Sequence, residues 1–240
     1  MENQYLALEA FNKPKKEETT STFLKGIFSN NEWLNLNFDS FSVSTVGRLY
    51  TLVPNALFAE KEMAAYGHLA LAESNTSHLR HISGKSDFSI IFSNQNEAVP
   101  FLKEKIPTAK FFPHSLVLLD SLIPNSNEEL IAVNIHDDLF DLAVIRERKL
   151  IFSNTFQYRS KEDYLYFLLF ALEQLKINAE NLSLTIYGKM EKASQLSELT
   201  AKYVKETRFG KLPDKFRYSY KFKEIPEHYF FNLLSQFLCV

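Results

Sequence analysis

Residues 131–157, IAVNIHDDLFDLAVIRERKLIFSNTFQ, decide the fold. Ile131, Val133 and Ile135 alternate with Ala132, Asn134 and His136, the period-two pattern of a strand with one strongly apolar face. LFDLAVI at 139–145 and LIFSNTF at 150–156 read as two further strands, with the polar RERK between them as a turn, so the stretch predicts a three-stranded meander. Its first hairpin carries His136, Asp137 and Asp138 at the tip. A turn of that composition is either a phosphate or metal site or simply a place where turn geometry favours Asp.

The pattern continues on the C-terminal side. Ser160 is placed to cap a helix over 161–175, with Asp163 three residues on in the manner of a capping box. LSLTIY at 182–187 reads as a strand, followed by Gly188 and an amphipathic helix with Met190, Ala193, Leu196, Thr200, Tyr203 and Val204 at helical spacing. KFRYSYKFK at 215–223 alternates strictly and predicts another strand, and a last helix is expected from Pro226. The resulting order, β-β-β-α-β-α-β-α, predicts a mixed sheet with helices on its faces.

The first half repeats this order less cleanly. YLALEAF (5–11), FDSFSVSTV (38–46) and RLYTLV (48–53) read as strands, and a helix is expected over 54–73. FSIIF (88–92), a helix over 96–106, AKFF (109–112) and a helix over 114–123 complete it. PNSNEE at 124–129 looks like a joint, which divides the chain into residues 1–125 and 126–240. A charged insertion with a short helix, at about 12–37, stands where the second half has a tight turn.

The doubled order is that of two ribonuclease-H-like halves, duplicated as in actin and Hsp70-type ATPases. IAVNIHDDLFDLAVIRERKLIFSNTFQYRSKEDYLYFLLFALEQL, TIYG and LYTLVPNALFAEKE resemble an uncharacterised bacterial domain-of-unknown-function family with an actin-like ATPase fold. That family is similar in outline to cell-division and pilus-assembly relatives of actin. The resemblance covers nearly the whole chain, and it implies an α/β architecture with an interdomain nucleotide cleft.

In active members of the actin superfamily each half opens with a hairpin whose acid and glycine approach the phosphates and metal. Here the first-half turn is replaced by NKPKKEE. In the second half Asn134 stands where the acid belongs, and His136 where the glycine belongs. Asparagine lacks the negative charge that holds Mg²⁺, and a histidine side chain obstructs the close backbone approach of a phosphate. Of the adenine-side glycine pair only Gly188 remains, in YGK with Lys189. No G-x-G-x-x-G or G-x-x-x-x-G-K-[ST] loop occurs. Asn134, His136, Asp137, Asp138, Gly188 and Lys189 therefore mark a degenerate nucleotide cleft, with ATP and Mg²⁺ as the alternative and otherwise no cofactor expected. Nuclease chemistry needs several carboxylates around two metal ions, and the two opening strands offer only Glu9 and Asn134.

Other clusters read as structural. HLRH at 78–81, with Asp87 nearby, sits in a polar stretch without the four ligands of a closed zinc site. His114 reads as a capping or surface residue. Residues 202–224 hold eight basic and three acidic side chains, five net positive charges, interleaved with aromatics. On a strand, Phe216, Tyr218, Tyr220 and Phe222 face a core while Lys215, Arg217, Lys221 and Lys223 face water, which leaves nucleic acid the weaker reading of that surface. Near-neutral charge, 27 basic against 29 acidic residues, gives no general drive toward nucleic acid or anionic membrane. The longest apolar run, YLYFLLFAL at 164–172, is short of the roughly 20 residues of a membrane span. A lone Cys239 and the absence of a leader-like start lead to the expectation of a cytoplasmic protein. Catalysis is not expected. An unknown protein partner is, and self-association is compatible with the sequence.

Overall fold

The computed structural model describes residues 4–5, 7–13, 19–71, 78–93 and 97–239. Up to residue 122 they form β1 (Gln4–Tyr5), α1 (Thr20–Asn30), β2 (Ser42–Thr45), β3 (Tyr50–Pro54), α2 (Met63–Leu71), β4 (His78–Ile82), β5 (Phe88–Ser93), α3 (Ala98–Lys105), β6 (Lys110–Pro113) and α4 (His114–Leu122). Then follow β7 (Glu129–Ile135), β8 (Leu139–Arg146), β9 (Lys149–Gln157), α5 (Lys161–Gln174), β10 (Ser183–Gly188), α6 (Gln195–Tyr203), β11 (Glu206–Phe209), β12 (Arg217–Tyr218) and α7 (Phe231–Ser235). The architecture is α/β with mixed sheets.

The meander forms as its alternation requires. Strand β8 lies antiparallel between β7 and β9, placing Asn134 opposite Asp141 and Asp141 opposite Thr155. The turn joining β8 to β9 holds Glu147 and Arg148 at φ 50° and 60°, left-handed values that match the twist of a two-residue hairpin connection. Strands β10 and β11 add in parallel, giving the order β11-β10-β7-β8-β9. Parity then sorts side chains to two faces. Ile131, Val133, Ile135, Phe140, Leu142 and Val144 pack against Tyr164, Leu168 and Leu172 of α5. Ala132, Ala143 and Ile145 pack instead against α4, together with Phe88 and Ile90 of β5. All nine residues of α4 are buried, as expected of a helix that is covered on every side. The α5 cap is as the sequence predicts: Ser160 Oγ accepts from Asp163 N–H at 3.1 Å, and the Asp163 carboxylate accepts from Arg159 N–H at 3.1 Å.

The first half departs from the expected repeat. Among the described residues it builds no five-stranded sheet. Strands β3, β5 and β4 make an antiparallel trio, β2 pairs in parallel with β6, and β1 pairs in parallel with β12 at the far end of the chain. HLRH, which reads as a polar loop, opens β4. Aromatic neighbours cover two of its polar side chains: Arg80 lies over the Phe58 ring at 3.6 Å, and His81 stacks on Phe92 and lies tilted against Phe112. Residues 7–11 are not strand, Leu6 lies outside the described residues, and 54–73 holds two short 3₁₀ turns before α2, its last two residues also lying outside.

Two corrections fall near the C-terminus. The fifth strand of the large sheet is β11, not 215–223. KFRYSYKFK gives only the two-residue β12 and then a 3₁₀ turn over Tyr220–Glu224. Phe216 and Phe222 are buried while Tyr220 is 74% exposed, so the rings do not share one face. Local alternation misleads here because the partner of β12 is β1, more than 200 residues away. The last α-helix starts at Phe231 rather than Pro226, since the intervening turn carries His228 to β10: Gly188 N–H donates to His228 O, and His228 Nε2 bonds Met190 O, each at 2.8 Å. No helix among the described residues is long and apolar enough to cross a membrane.

Gly188 sits at φ +81°, where an added Cβ would strike the backbone of Ile135. Gly188→Ala should therefore lose at least about 2 kcal/mol of stability, because strain and clash fall on two strands that cannot part. Urea denaturation checks this, and a loss below about 0.5 kcal/mol would contradict it.

Candidate functional site

On the α4 face of the large sheet, one row of side chains is polar. Asn134 of β7, Asp141 of β8 and Thr155 of β9 lie side by side across the three strands, by the same parity that places Ala132, Ala143 and Ser153 in the next row. His136, two residues beyond Asn134, continues that face just past the end of β7. His114, the first residue of α4, meets the row from the helix side. Asn134, Asp141 and His114 are each 1% exposed.

Every acceptor position of the Asp141 carboxylate is occupied. Oδ1 accepts from His114 Nε2 at 2.8 Å and Thr155 Oγ1 at 2.6 Å. Oδ2 accepts from His136 Nε2 and Asn134 Nδ2, both at 2.9 Å. The Asn134 amide nitrogen also lies 3.0 Å from His136 Nε2, and the two imidazole rings stand edge to face at 4.9 Å. Burial pushes the Asp141 pKa up, but its interactions with His114 and His136 outweigh this and hold the carboxyl well below the usual carboxylate range. It is a fixed anion.

The network extends into the first half. Gly47 N–H reaches His114 Nδ1 at 3.4 Å, the long limit of a hydrogen bond, and so favours the tautomer with the proton on Nε2. Tyr50 OH lies 3.1 Å from Ser153 Oγ and 3.4 Å from Thr155 Oγ1. Burial, and then the charge on Asp141, push the Tyr50 phenol up to about 12, so it stays neutral. Gly47 and Tyr50 also wall a groove of about 280 Å³, closed on its other side by Pro113, Asp138 and Leu139.

The residues singled out in the sequence separate in space. Asn134 and His136 turn inward to Asp141. Asp137 and Asp138 stay at the exposed tip, where Asp137 accepts from Lys189 Nζ at 2.9 Å and Asp138 from Gln157 Nε2 at 3.2 Å. Gly188 packs against the Ile135 backbone and the Asn134 side chain, which leaves no space there for a Cβ. Lys189 N–H donates to Ile135 O at 2.8 Å. Lys215, Arg217 and Lys223 are exposed around β12 and the following turn, which also carries Lys221, and these residues form no single strand face. His81 Nε2 lies 3.2 Å from the Phe111 carbonyl oxygen.

His114 is a correction: it is a buried partner of Asp141, neither cap nor surface, because β6 delivers the start of α4 directly onto the sheet. From sequence Asp141 reads only as a member of a local acidic cluster with Asp137 and Asp138. A sharper signal was present, since a lone charge amid LFDLAVI has to be paired once the strand is buried. Thr155 carries no such signal, and its role follows only from the register of β9.

Comparison with other proteins agrees with this architecture. A family model described as a protein of unknown function, DUF3822, matches residues 1–207. No protein of curated function matches the sequence. Among solved structures the chain is similar to a Bacteroides thetaiotaomicron VPI-5482 protein with an actin-like ATPase fold and unknown function. The two share 22% identity over 80% of this chain and 77% of that one, with a TM-score of 0.72. Looser likenesses are to a PilM–PilN type IV pilus biogenesis complex (13% identity, 83% and 80% coverage, TM-score 0.46) and to an AlfA filament bound to AMPPNP (14%, 90% and 63%, 0.39). The first of these fixes the fold as actin-like, and the other two add nothing to it.

Replacing Asp141 by Asn puts an amide N–H among four donors and should cost about 3–5 kcal/mol at neutral pH. Thr155→Val, which removes one donor from a carboxylate that keeps three, should cost about 1–3 kcal/mol. Because the folded pKa of Asp141 is depressed, its contribution is fully present above the unfolded value of about 3.9 and is lost as pH falls below it. Denaturation of both variants between about pH 3 and 7 checks this. The expected result is an acid limb in the wild type that Asp141→Asn flattens.

Proposed function

The chain belongs to the DUF3822 family of proteins of unknown function, and we propose that it is a non-catalytic actin-like protein that acts through contacts with another protein. The proposal takes the chain as two halves, 1–125 and 126–240, around a cleft that no longer serves a nucleotide. One observation carries it: Asn134, at the position of the metal-holding acid in active relatives, is buried with its side chain turned to Asp141. A group that holds Mg²⁺ or phosphate must stay open to that ligand and keep a lone pair for it. Asn134 is instead shut from solvent and committed to Asp141, and the backbone of Ile135 lies against Gly188.

The outer face of α5 supports the second part of the reading. Tyr166 and Phe170 stack at 5.9 Å and are 61% and 46% exposed, an aromatic pair one helical turn apart that the core does not use. Large exposed rings of this kind are enriched where proteins meet. The basic 202–224 stretch gives nucleic acid less support, since Phe216 and Phe222 are buried and unable to stack on bases.

Calorimetric titration of the full chain with Mg-ATP and with Mg-GTP tests the proposal. No saturable heat is expected up to about millimolar nucleotide, which corresponds to less than about 4 kcal/mol of binding. Micromolar binding that is lost in Lys189→Ala would overturn it and make the cleft a working nucleotide site.

A further inference from the structure

We propose that His114, His136 and Asp141 form a binding site for one divalent transition-metal ion of the zinc class. The three donor atoms lie within 4.8 Å of one another. They come from three separate elements: the first residue of α4, the end of the β7–β8 hairpin and the interior of β8. Two imidazole nitrogens and one carboxylate oxygen suit zinc, cobalt or nickel rather than Mg²⁺ or Ca²⁺, which require oxygen sets. Three protein ligands leave a fourth position for water or an exogenous ligand. His136, whose side chain is 17% exposed, gives the ion its way in past otherwise closed walls.

The second layer around these ligands is already built. Thr155 Oγ1 holds Oδ1 and Asn134 Nδ2 holds Oδ2, so the carboxylate keeps its orientation when the two imidazoles turn from hydrogen-bond donors into ligands. Coordination through each Nε2 displaces the proton that bonds it to Asp141, and those protons leave to solvent or move to Nδ1. For His114 the shift has a structural consequence. Nδ1 now accepts from Gly47 N–H, and once it carries a proton the two N–H groups oppose each other. The 45–49 loop, one wall of the 280 Å³ groove, must then give way. Metal and groove are coupled through that contact. The site stands apart from the reading of the nucleotide cleft, since it needs no nucleotide and no catalysis.

The test is titration of the full, chelator-treated chain with Co²⁺, followed by displacement with Zn²⁺, on the wild type and on His136→Ala. His136 is the most exposed of the three ligands, so this variant retains its fold, which circular dichroism verifies. The expected result is one Co²⁺ per chain with the intense visible bands of four- or five-coordinate cobalt, and affinity weakened at least about 100-fold in His136→Ala. Hydrogen exchange at residues 45–50 should rise on adding Zn²⁺ to the wild type and stay unchanged in the variant. The four histidines outside the cluster, His68, His78, His81 and His228, provide the internal control. Binding of equal strength in His136→Ala, a hydrated octahedral spectrum, or no saturable binding would each overturn the proposal.

Discussion

A carboxylate out of reach of water, with four donors converging on it, sets the terms for the rest of this structure. A buried charge is tolerated only if it is hydrogen-bonded on every side. Asp141 meets that condition by drawing on β7, the hairpin after it, β9 and the start of α4. Those partners are held in place by the sheet register and by the fully buried α4. The meander and the helix from the preceding half are thus fastened by one polar contact set within an otherwise apolar interface. Ala132, Ala143 and Ile145 beside it supply the non-directional part of the same packing, and the network gives it a single register.

The fold and the residues at the hairpin tip answer to different constraints. The fold follows from apolar alternation along β7 to β10 and from helices that cover both faces of the sheet. Phosphate chemistry depends on a few groups at a hairpin and beside one glycine, and these can change while the packing does not. In this chain Asn134 points inward, His136 bonds Asp141, and Gly188 serves the contact between two neighbouring strands. What remains at the tip is a surface pair between Asp137 and Lys189, which is worth little in water.

The two halves were unequally legible. From Ile131 to Leu184 the strands, turn and helix cap follow from residues within a few positions of one another, so periodicity and turn chemistry suffice. Elsewhere the partners are remote. Strand β12 is short because it pairs with β1, β4 is a strand because β5 and nearby rings shelter Arg80 and His81, and α7 starts late because His228 is drawn to Gly188 and Met190. Alternation in KFRYSYKFK promises a strand that no neighbouring strand takes up. Local pattern carries no information about that.

By itself the sequence determined four strands of the second-half sheet, their two faces and the cap at Ser160, because each is a matter of residue type at fixed local spacing. Only the tertiary structure decided what Asn134 and His136 meet. It set Asp141, rather than the tip acids, at the centre, brought His114 from a helix more than 20 residues upstream, and recruited Thr155 through strand register. Contacts of that kind depend on which elements pack together, and no spacing along the chain encodes the distance from the start of α4 to the middle of β8.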